Sequence, residues 1–277
     1  MKISGFTDLS ELTLLVLQKF SSRFPSGNGE ERLARFIGDI AYTVPWGPHR
    51  MIANRLSMVF GSELTLYQIK RLTREVFRNR WANREVLWLQ KFSSSAFKRK
   101  TACQRIRVEG LEHLSEAISR GKGMILWESS FGKRVLAKVV LLEKGFSLCQ
   151  VHGPEHGGSP TWLGQRVIRS IYRKAAGKLF LELIDIQYDS FAYLRRLANR
   201  LKQNGIVCMP GLGGEGHKFV PVQFLGARQQ FATGVVSLAR MTGASLIPIF
   251  CFKQDDGMDH LVLEKPINLE CYGDGDE

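Results

Sequence analysis

Six histidines, together with a few polar residues that end an apolar stretch, are the groups in this sequence suited to acid–base or nucleophilic chemistry. Glu128 and Ser130 follow an apolar run, and further along His152 and His156 flank Glu155 in a glycine-rich segment. A histidine with a pKa near neutrality can take a proton from a hydroxyl, and a carboxylate beside it fixes its tautomer. The residue types therefore predict a site for general-base or nucleophilic catalysis.

Each of these side chains has a defined role in that hypothesis. We expect a histidine of the segment 152–158, or His217 after a later strand, to meet the hydroxyl of a substrate. Glu128 or Glu155 then orients the ring as its acid, and Ser130 accepts the acyl group or stabilises an oxyanion. The alternatives are structural, since serine commonly caps a helix and glycine-rich segments commonly form surface turns.

Charge and cysteine content restrict the partners and the compartment. The net charge of +13 favours an anionic partner, but no RNP-like, zinc-finger or helix-turn-helix pattern is present, so nucleic acid is not expected. Five scattered cysteines favour a reducing compartment. Pro154 prevents the helix that would align His152 with His156 on a metal, so neither a metal nor a cofactor is expected. The apolar runs are shorter than the roughly 20 residues of a spanning helix, which predicts a soluble or peripheral protein.

The elements that must position these groups follow from hydrophobic periodicity. Residues 1–100 are predicted as an N-terminal helical subdomain, in which a long helix begins at Thr65 in a capping box with Gln68 and runs to Leu89. Residues 101–277 are predicted as an α/β domain with a mixed, largely parallel sheet flanked by helices, because short strands alternate with helices. The predicted strands are Arg105–Glu109, Met124–Trp127, Phe146–Val151, Gly205–Met209, Phe219–Phe224, Ser245–Phe252 and His260–Leu263, and the predicted helices between them are Leu111–Arg120, Gly132–Leu142, Thr161–Arg173, Ser190–Lys202 and Phe231–Met241.

Several blocks of this sequence, in this order, resemble the lipid A biosynthesis (lauroyl/myristoyl) acyltransferases of the lysophospholipid acyltransferase superfamily. The blocks are Arg107–Leu114, Gly123–Gly132, Val220–Gly226, Phe231–Ala244, Ile247–Phe250 and Lys265–Ile267. The resemblance implies transfer of a fatty acyl chain from acyl carrier protein or acyl-CoA to a hydroxyl or amine of a lipid-like acceptor. It also implies a peripheral location at the cytoplasmic face of the inner membrane, or otherwise in the cytoplasm.

The catalytic pair of the resembling family is missing from its usual place. That family has a histidine followed five positions later by an acid, and matching its Phe-Gly to Phe131 and Gly132 puts Ser130 and Val135 at those two positions. No histidine of this chain has Asp or Glu five positions later. Two hypotheses stay open: relocated chemistry on Glu128 and the histidine segment, or a catalytically inactive homologue that binds lipid or a protein partner.

Basic residues and glycines near the motif predict how the substrate is held. Lys133 and Arg134 open the helix after it and are expected to bind a phosphate of the acceptor or of the donor's pantetheine arm, unless they are a solvated helix face. Gly213 and Gly214 lie in a run with dinucleotide-loop spacing, but a strand follows, which favours a hairpin. In the resembling family that loop approaches the donor or acceptor, which makes both glycines candidate substrate-binding positions.

A basic stripe on the long helix is a second candidate for contact with lipid. Arg71, Arg74 and Arg78 recur at helical spacing, with Trp81 and Trp88 nearby. Such a stripe is either a solvated face or a surface that docks on anionic lipid with its tryptophans at the interface. An acidic membrane surface is therefore an expected partner.

Overall fold

The structure is a computed structural model that describes residues 8–9, 12–13, 15–16, 29–43, 47–129, 132–153, 161–186, 191–211 and 218–269. Two compact units are distinguished within the chain. The first comprises residues 1–91, 157–172 and 222–229, and the second comprises residues 92–156, 173–221 and 230–277. Among the described residues no helix is long and apolar enough to cross a membrane.

Three helices build most of the first unit: α1 (Gly29–Thr43), α2 (Gly47–Phe60) and α3 (Leu66–Ala82). The predicted capping box at Thr65 is confirmed, since its hydroxyl accepts from the Gln68 amide and its amide donates to the Gln68 side chain. The predicted continuation to Leu89 is wrong. Asn83 leaves the helical conformation and bonds back to the preceding turn, so that a separate helix α4 (Glu85–Ser93) begins two residues later.

Ion pairs connect the helices α1 and α3. Asp39 accepts hydrogen bonds from Arg74 and Arg78, which hold the pKa of its carboxyl well below its ordinary value. Glu75 bridges Arg78 to Arg35 in the same way. Trp81 is 5% exposed. Two of the three arginines of the predicted basic stripe, Arg74 and Arg78, thus form ion pairs with acids of the same unit.

The second unit contains a seven-stranded sheet. Its elements are α5 (Ala96–Cys103), β1 (Ile106–Glu109), α6 (Leu111–Ser119), β2 (Met124–Glu128), α7 (Arg134–Glu143), β3 (Leu148–His152), β4 (Glu182–Asp185), α9 (Ala192–Lys202), β5 (Ile206–Pro210), α10 (Gly234–Thr242), β8 (Ser245–Lys253) and β9 (Asp259–Leu263). The helix α8 (Arg169–Ala176) precedes β4 and continues a π-helical turn (Gly164–Ile168), and β6 (Phe219–Phe224) and β7 (Ala227–Ala232) form a separate two-stranded sheet.

The strand order is β1-β9-β8-β2-β5-β3-β4, and the five strands from β8 to β4 run parallel. β9 is antiparallel to β8, and β1 is parallel to β9. The predicted α/β class with a largely parallel sheet is therefore confirmed. Two strands were not predicted: β4, which is four residues long, and β7, whose last two residues overlap the helix predicted over Phe231–Met241.

The two faces of the sheet differ in chemistry. One face packs against α9 and α10 through an apolar core that includes Ile125, Val151 and Val207. Side chains alternate along a strand, so Gln150 and His152, the neighbours of Val151, point to the opposite face, toward α7. The buried polar side chains of Gln150 and His152 therefore lie on that face.

Candidate active site

The carboxyl ends of the parallel strands bring the predicted residues to one edge. Glu128 ends β2, His152 ends β3 and Asp185 ends β4. Ligands of open parallel sheets bind outside this edge, because the strand-to-helix loops meet there. Glu128 is in register with Pro210 of β5, which lies between β2 and β3, so the backbones of Glu128 and His152 are about 10 Å apart.

Glu128 belongs to a closed buried cluster. Its carboxylate lies 3.2 Å from the Nζ of Lys138 on α7, and the two side chains are 5% and 1% exposed. Lys138 also donates to the Oε1 of Gln150 at 2.7 Å, and Gln150 donates to the Val151 carbonyl at 2.8 Å. The arrangement neutralises a buried acid with a buried base, so it is suited to holding α7 on the sheet.

His152 belongs to a second cluster, at the end of β3. Its side chain is fully buried, and its Nδ1 lies 3.5 Å from the Oδ1 of Asp185. The two residues are register partners on adjacent parallel strands, which puts both side chains on the same face. Arg173 donates to the same carboxylate oxygen at 2.7 Å. In a histidine whose Nδ1 faces a carboxylate, Nε2 is the nitrogen that acts as a general base.

Gly132 and Lys133, just before α7, lie against β8. The Lys133 amide donates to the Cys251 carbonyl at 2.8 Å, and a Cβ added at Gly132, whose φ is +75°, would lie 1.9 Å from that oxygen. Only glycine fits there, which explains the glycine that follows Phe131 in the sequence block. The Lys133 ammonium lies 2.8 Å from a carboxylate oxygen of Asp259, and Arg134 is half-buried at the first position of α7.

The structure thus joins some of the predicted site residues and separates others. Glu128 and His152 reach the same edge, but each binds a partner that was not predicted for it. Lys133 and Arg134 begin α7 as predicted, and their role in anion binding stays a prediction. The remaining candidates, Ser130, Glu155, His156, Gly213, Gly214 and His217, lie outside the described residues, and their roles also stay predictions.

Two residues of these clusters were missed by reading the sequence. Asp185 ends a strand in the same way as Glu128, and the short apolar run around Leu183 and Ile184 was the signal for it. Lys138 is a basic residue within an apolar stretch of α7, next to Val139 and Val140. A lysine in such a position needs a buried acid, and that requirement was the available clue.

The buried thiols of this unit are not nucleophiles. Burial raises the pKa of Cys251 to about 12, and burial together with the nearby Glu128 carboxylate raises the pKa of Cys208 well above its ordinary value. Burial likewise raises the pKa of Cys149. Because the thiolate is the reactive form, acyl transfer through these three cysteines is excluded near neutral pH.

Comparison with known proteins of similar sequence identifies lipid acyltransferases. The family described as bacterial lipid A biosynthesis acyltransferase matches residues 30–277. A phosphatidylinositol mannoside acyltransferase of Mycolicibacterium smegmatis is 27% identical over 174 residues, which cover 61% of this chain and 53% of that protein. The protein of the same name from Mycobacterium tuberculosis (strain H37Rv) is 31% identical over 160 residues, which cover 57% of this chain and 48% of that protein. The chain spans about half the length of the curated relatives it matches.

Proposed function

Because the chain belongs to the bacterial lipid A biosynthesis acyltransferase family, we propose that it transfers a fatty acyl chain from a thioester donor to a lipid-like acceptor. The donor is acyl-CoA or acyl carrier protein, and the acceptor group is a hydroxyl or amine. The observation that carries the proposal is the pairing of His152 with Asp185, 3.5 Å apart at the carboxyl edge of the sheet. It supplies a base and an orienting acid where the family's own pair is replaced by Ser130 and Val135.

The proposed reaction uses His152 first as a base and then as an acid. Its Nε2 takes the proton of the acceptor hydroxyl while the oxygen attacks the thioester carbonyl, and the Asp185 carboxylate stabilises the imidazolium through Nδ1. The tetrahedral intermediate then expels the thiolate, which receives the proton from Nε2 as the ester forms. The 3.5 Å separation of Nδ1 and Oδ1 is an ion-pair contact, and we propose that it shortens to a hydrogen bond when the substrate binds.

Burial of His152 defines how the acceptor must approach. The side chain is fully buried, so we propose that the acceptor hydroxyl reaches Nε2 from the carboxyl edge of the sheet. Such an arrangement keeps bulk water away from the acyl group and so disfavours hydrolysis of the thioester. Ser130, which comes two residues after β2 in the sequence, is proposed as the oxyanion donor.

The acceptor we propose is a phosphate-bearing lipid with a free hydroxyl. The names of the mycobacterial relatives specify such a compound for those proteins, and the net charge of +13 supports an anionic acceptor here. We propose that the protein acts as a peripheral enzyme at the cytoplasmic face of the membrane, where the thioester donors are available.

Turnover by the purified protein tests the proposal. We expect release of free thiol from acyl-CoA or acyl carrier protein to depend on an added phospholipid that has a free hydroxyl. The matched control is the same phospholipid with that hydroxyl already acylated, which should give no thiol release above background. Thiol release that is independent of the acceptor, with no acylated lipid formed, would contradict the proposal.

The second candidate is a non-catalytic lipid-binding or partner-binding homologue. It is favoured by one specific observation: Val135, at the position of the family's acid, is a buried apolar residue of α7, 3% exposed, that cannot exchange a proton. In that case the protein would bind the acceptor lipid without producing acylated lipid from either donor. Any turnover that a single substitution at His152 abolishes would exclude it.

A further inference from the structure

The outward face of α2 carries apolar side chains where a helix that faces water normally carries polar ones. Met51, Met58 and Val59 are 47%, 59% and 38% exposed. With Arg55 they occupy positions i, i+4, i+7 and i+8, the spacing that puts all four on one side of a helix. In a protein surrounded only by water, a stripe with that spacing would normally face the core.

The turn between β6 and β7 continues this surface. It consists of Leu225 and Gly226, both with positive φ (48° and 75°), and Leu225 is 58% exposed. The turn lies against α2, because a Cβ built at Gly226 would be 3.2 Å from the carbonyl oxygen of Met58. The tip of the hairpin and the carboxyl half of α2 therefore form one surface within the first unit.

Leu225 is an unusual residue for its backbone conformation. A leucine in the left-handed region is uncommon, since its Cβ crowds the backbone, and two-residue turns of this type are usually built with Asn or Asp before Gly. The side chain is more than half exposed, so its packing does not compensate for the strain. Local strain of this kind is retained where it serves function, which indicates that this leucine acts on something outside the chain.

The charge around these apolar groups is predominantly positive. Arg50, Arg55 and Arg228 are exposed, and neither α2 nor the segment 222–229 contains Asp or Glu. The exposed acid nearest in the chain is Glu63, in the 3-10 turn that follows α2. Exposed apolar side chains among an excess of arginines are typical of surfaces that lie in the headgroup region of an anionic bilayer.

We propose that Met51, Arg55, Met58, Val59, Leu225 and Arg228 form a docking face for a bilayer that contains anionic phospholipid. The apolar side chains enter the boundary between headgroups and acyl chains, and the arginines bind lipid phosphates. This inference goes beyond the proposed reaction, since it concerns a surface of the first unit. Binding is measured without any acyl donor, so its failure is distinguishable from failure of the proposed activity.

Cosedimentation of the full chain with vesicles tests the docking face. We expect the wild type to bind vesicles of phosphatidylcholine with phosphatidylglycerol far more strongly than vesicles of phosphatidylcholine alone. Arg55→Glu and Met58→Glu should each weaken that binding by at least about tenfold. The matched controls are Arg195→Glu and Met241→Glu on α9 and α10, which make the same changes at exposed positions of the second unit and should bind as the wild type does.

The variant Leu225→Asn distinguishes a loss of vesicle binding from a loss of stability. Asparagine tolerates the left-handed region, so we expect this variant to melt at the same or a higher temperature than the wild type while binding anionic vesicles less tightly. The proposal is overturned if the wild type does not prefer anionic vesicles, or if the three docking-face variants bind them as tightly as the wild type. Binding to an acidic protein without binding to vesicles would overturn it as well.

Discussion

Two polar clusters lie at the carboxyl edge of the same sheet, and they differ in how their charges are arranged. In the first, Glu128 and Lys138 are 5% and 1% exposed, and each is the charged partner of the other. In the second, His152 is fully buried, but Asp185 and its partner Arg173 are 34% and 41% exposed. One cluster is closed by α7, whereas the other reaches the surface.

We interpret this difference as one between a structural role for the first cluster and the catalytic role proposed for the second. A buried ion pair that is matched inside the protein has no reason to exchange protons with a substrate, and its loss leaves an uncompensated charge. A histidine beside a partly exposed carboxylate keeps one ring nitrogen for a substrate. Of the two acids considered, we therefore propose that Glu128 has a structural role and that Asp185 orients His152.

The largest effect is expected on catalysis, from His152→Gln. Loss of the general base should lower the rate of acyl transfer by about 10²–10⁴-fold, while a side chain of similar volume keeps the packing. Rates per folded protein are measured with an acyl thioester and a lipid acceptor, and thermal unfolding is followed in parallel. Ser130→Ala is the comparison that tests the serine as oxyanion donor. A His152→Gln variant with full activity would transfer the catalytic role to another group.

The next largest effect is expected on stability, from Lys138→Met. This change leaves the Glu128 charge buried without its partner, and we expect the free energy of unfolding to fall by about 3–5 kcal/mol. The double variant Glu128→Gln/Lys138→Met removes both charges and should recover most of the loss. Urea unfolding measures the free energy of unfolding of both variants. If Lys138→Met unfolds as the wild type does, or if the double variant is no better than the single one, the closed cluster is not the stabilising element we describe.

The rate of alkylation of Cys208 measures how accessible the cluster of Glu128 and Lys138 is to solvent. Its sulfur lies beside Glu128, and its raised pKa leaves little thiolate at pH 8. We expect iodoacetamide to label Cys208 at least about tenfold more slowly than the half-buried Cys103, and to reach it only on unfolding. Peptide mass spectrometry follows each site. Equal labelling of both cysteines in the folded protein would contradict a closed cluster.

The smallest effect is expected from Arg173→Gln in the second cluster. The ion pair of Arg173 with Asp185 is partly exposed. It therefore contributes only about 0.2–1 kcal/mol to holding the Asp185 carboxylate in place. Acyl transfer should therefore fall less than about fivefold. Arg173→Lys, which keeps the charge, serves as the control. A loss as large as that of His152→Gln would show that Arg173 touches the substrate rather than only positioning Asp185.

Most of the fold could be predicted from the sequence, and the exceptions have physical reasons. Alternating strands and helices give the α/β class directly, because hydrophobic periods of 2 and 3.6 residues differ clearly. β4 was overlooked because it is four residues long and both its end residues are acidic. The break between α3 and α4 depends on the local conformation of Asn83, which a helical hydrophobic pattern does not record.

The candidate site was only half predictable. Glu128 and His152 were identified because each ends an apolar strand, and that signal is local. Their partners depend on tertiary structure: Lys138 reaches Glu128 only when α7 packs on the sheet, and Asp185 meets His152 only when β4 pairs with β3 in one register. A shift of one residue in that register would send Asp185 to the other face.

A double-mutant cycle on His152 and Asp185 tests the central claim most directly. Rates of acyl transfer are compared for the wild type, His152→Gln, Asp185→Asn and the double variant. If the two residues act as one base, Asp185→Asn alone should lower the rate at least about tenfold. In the His152→Gln background it should change the rate less than about twofold, because effects within one catalytic unit do not add. Losses that multiply in the double variant, or a wild-type rate in either single variant, would contradict the account.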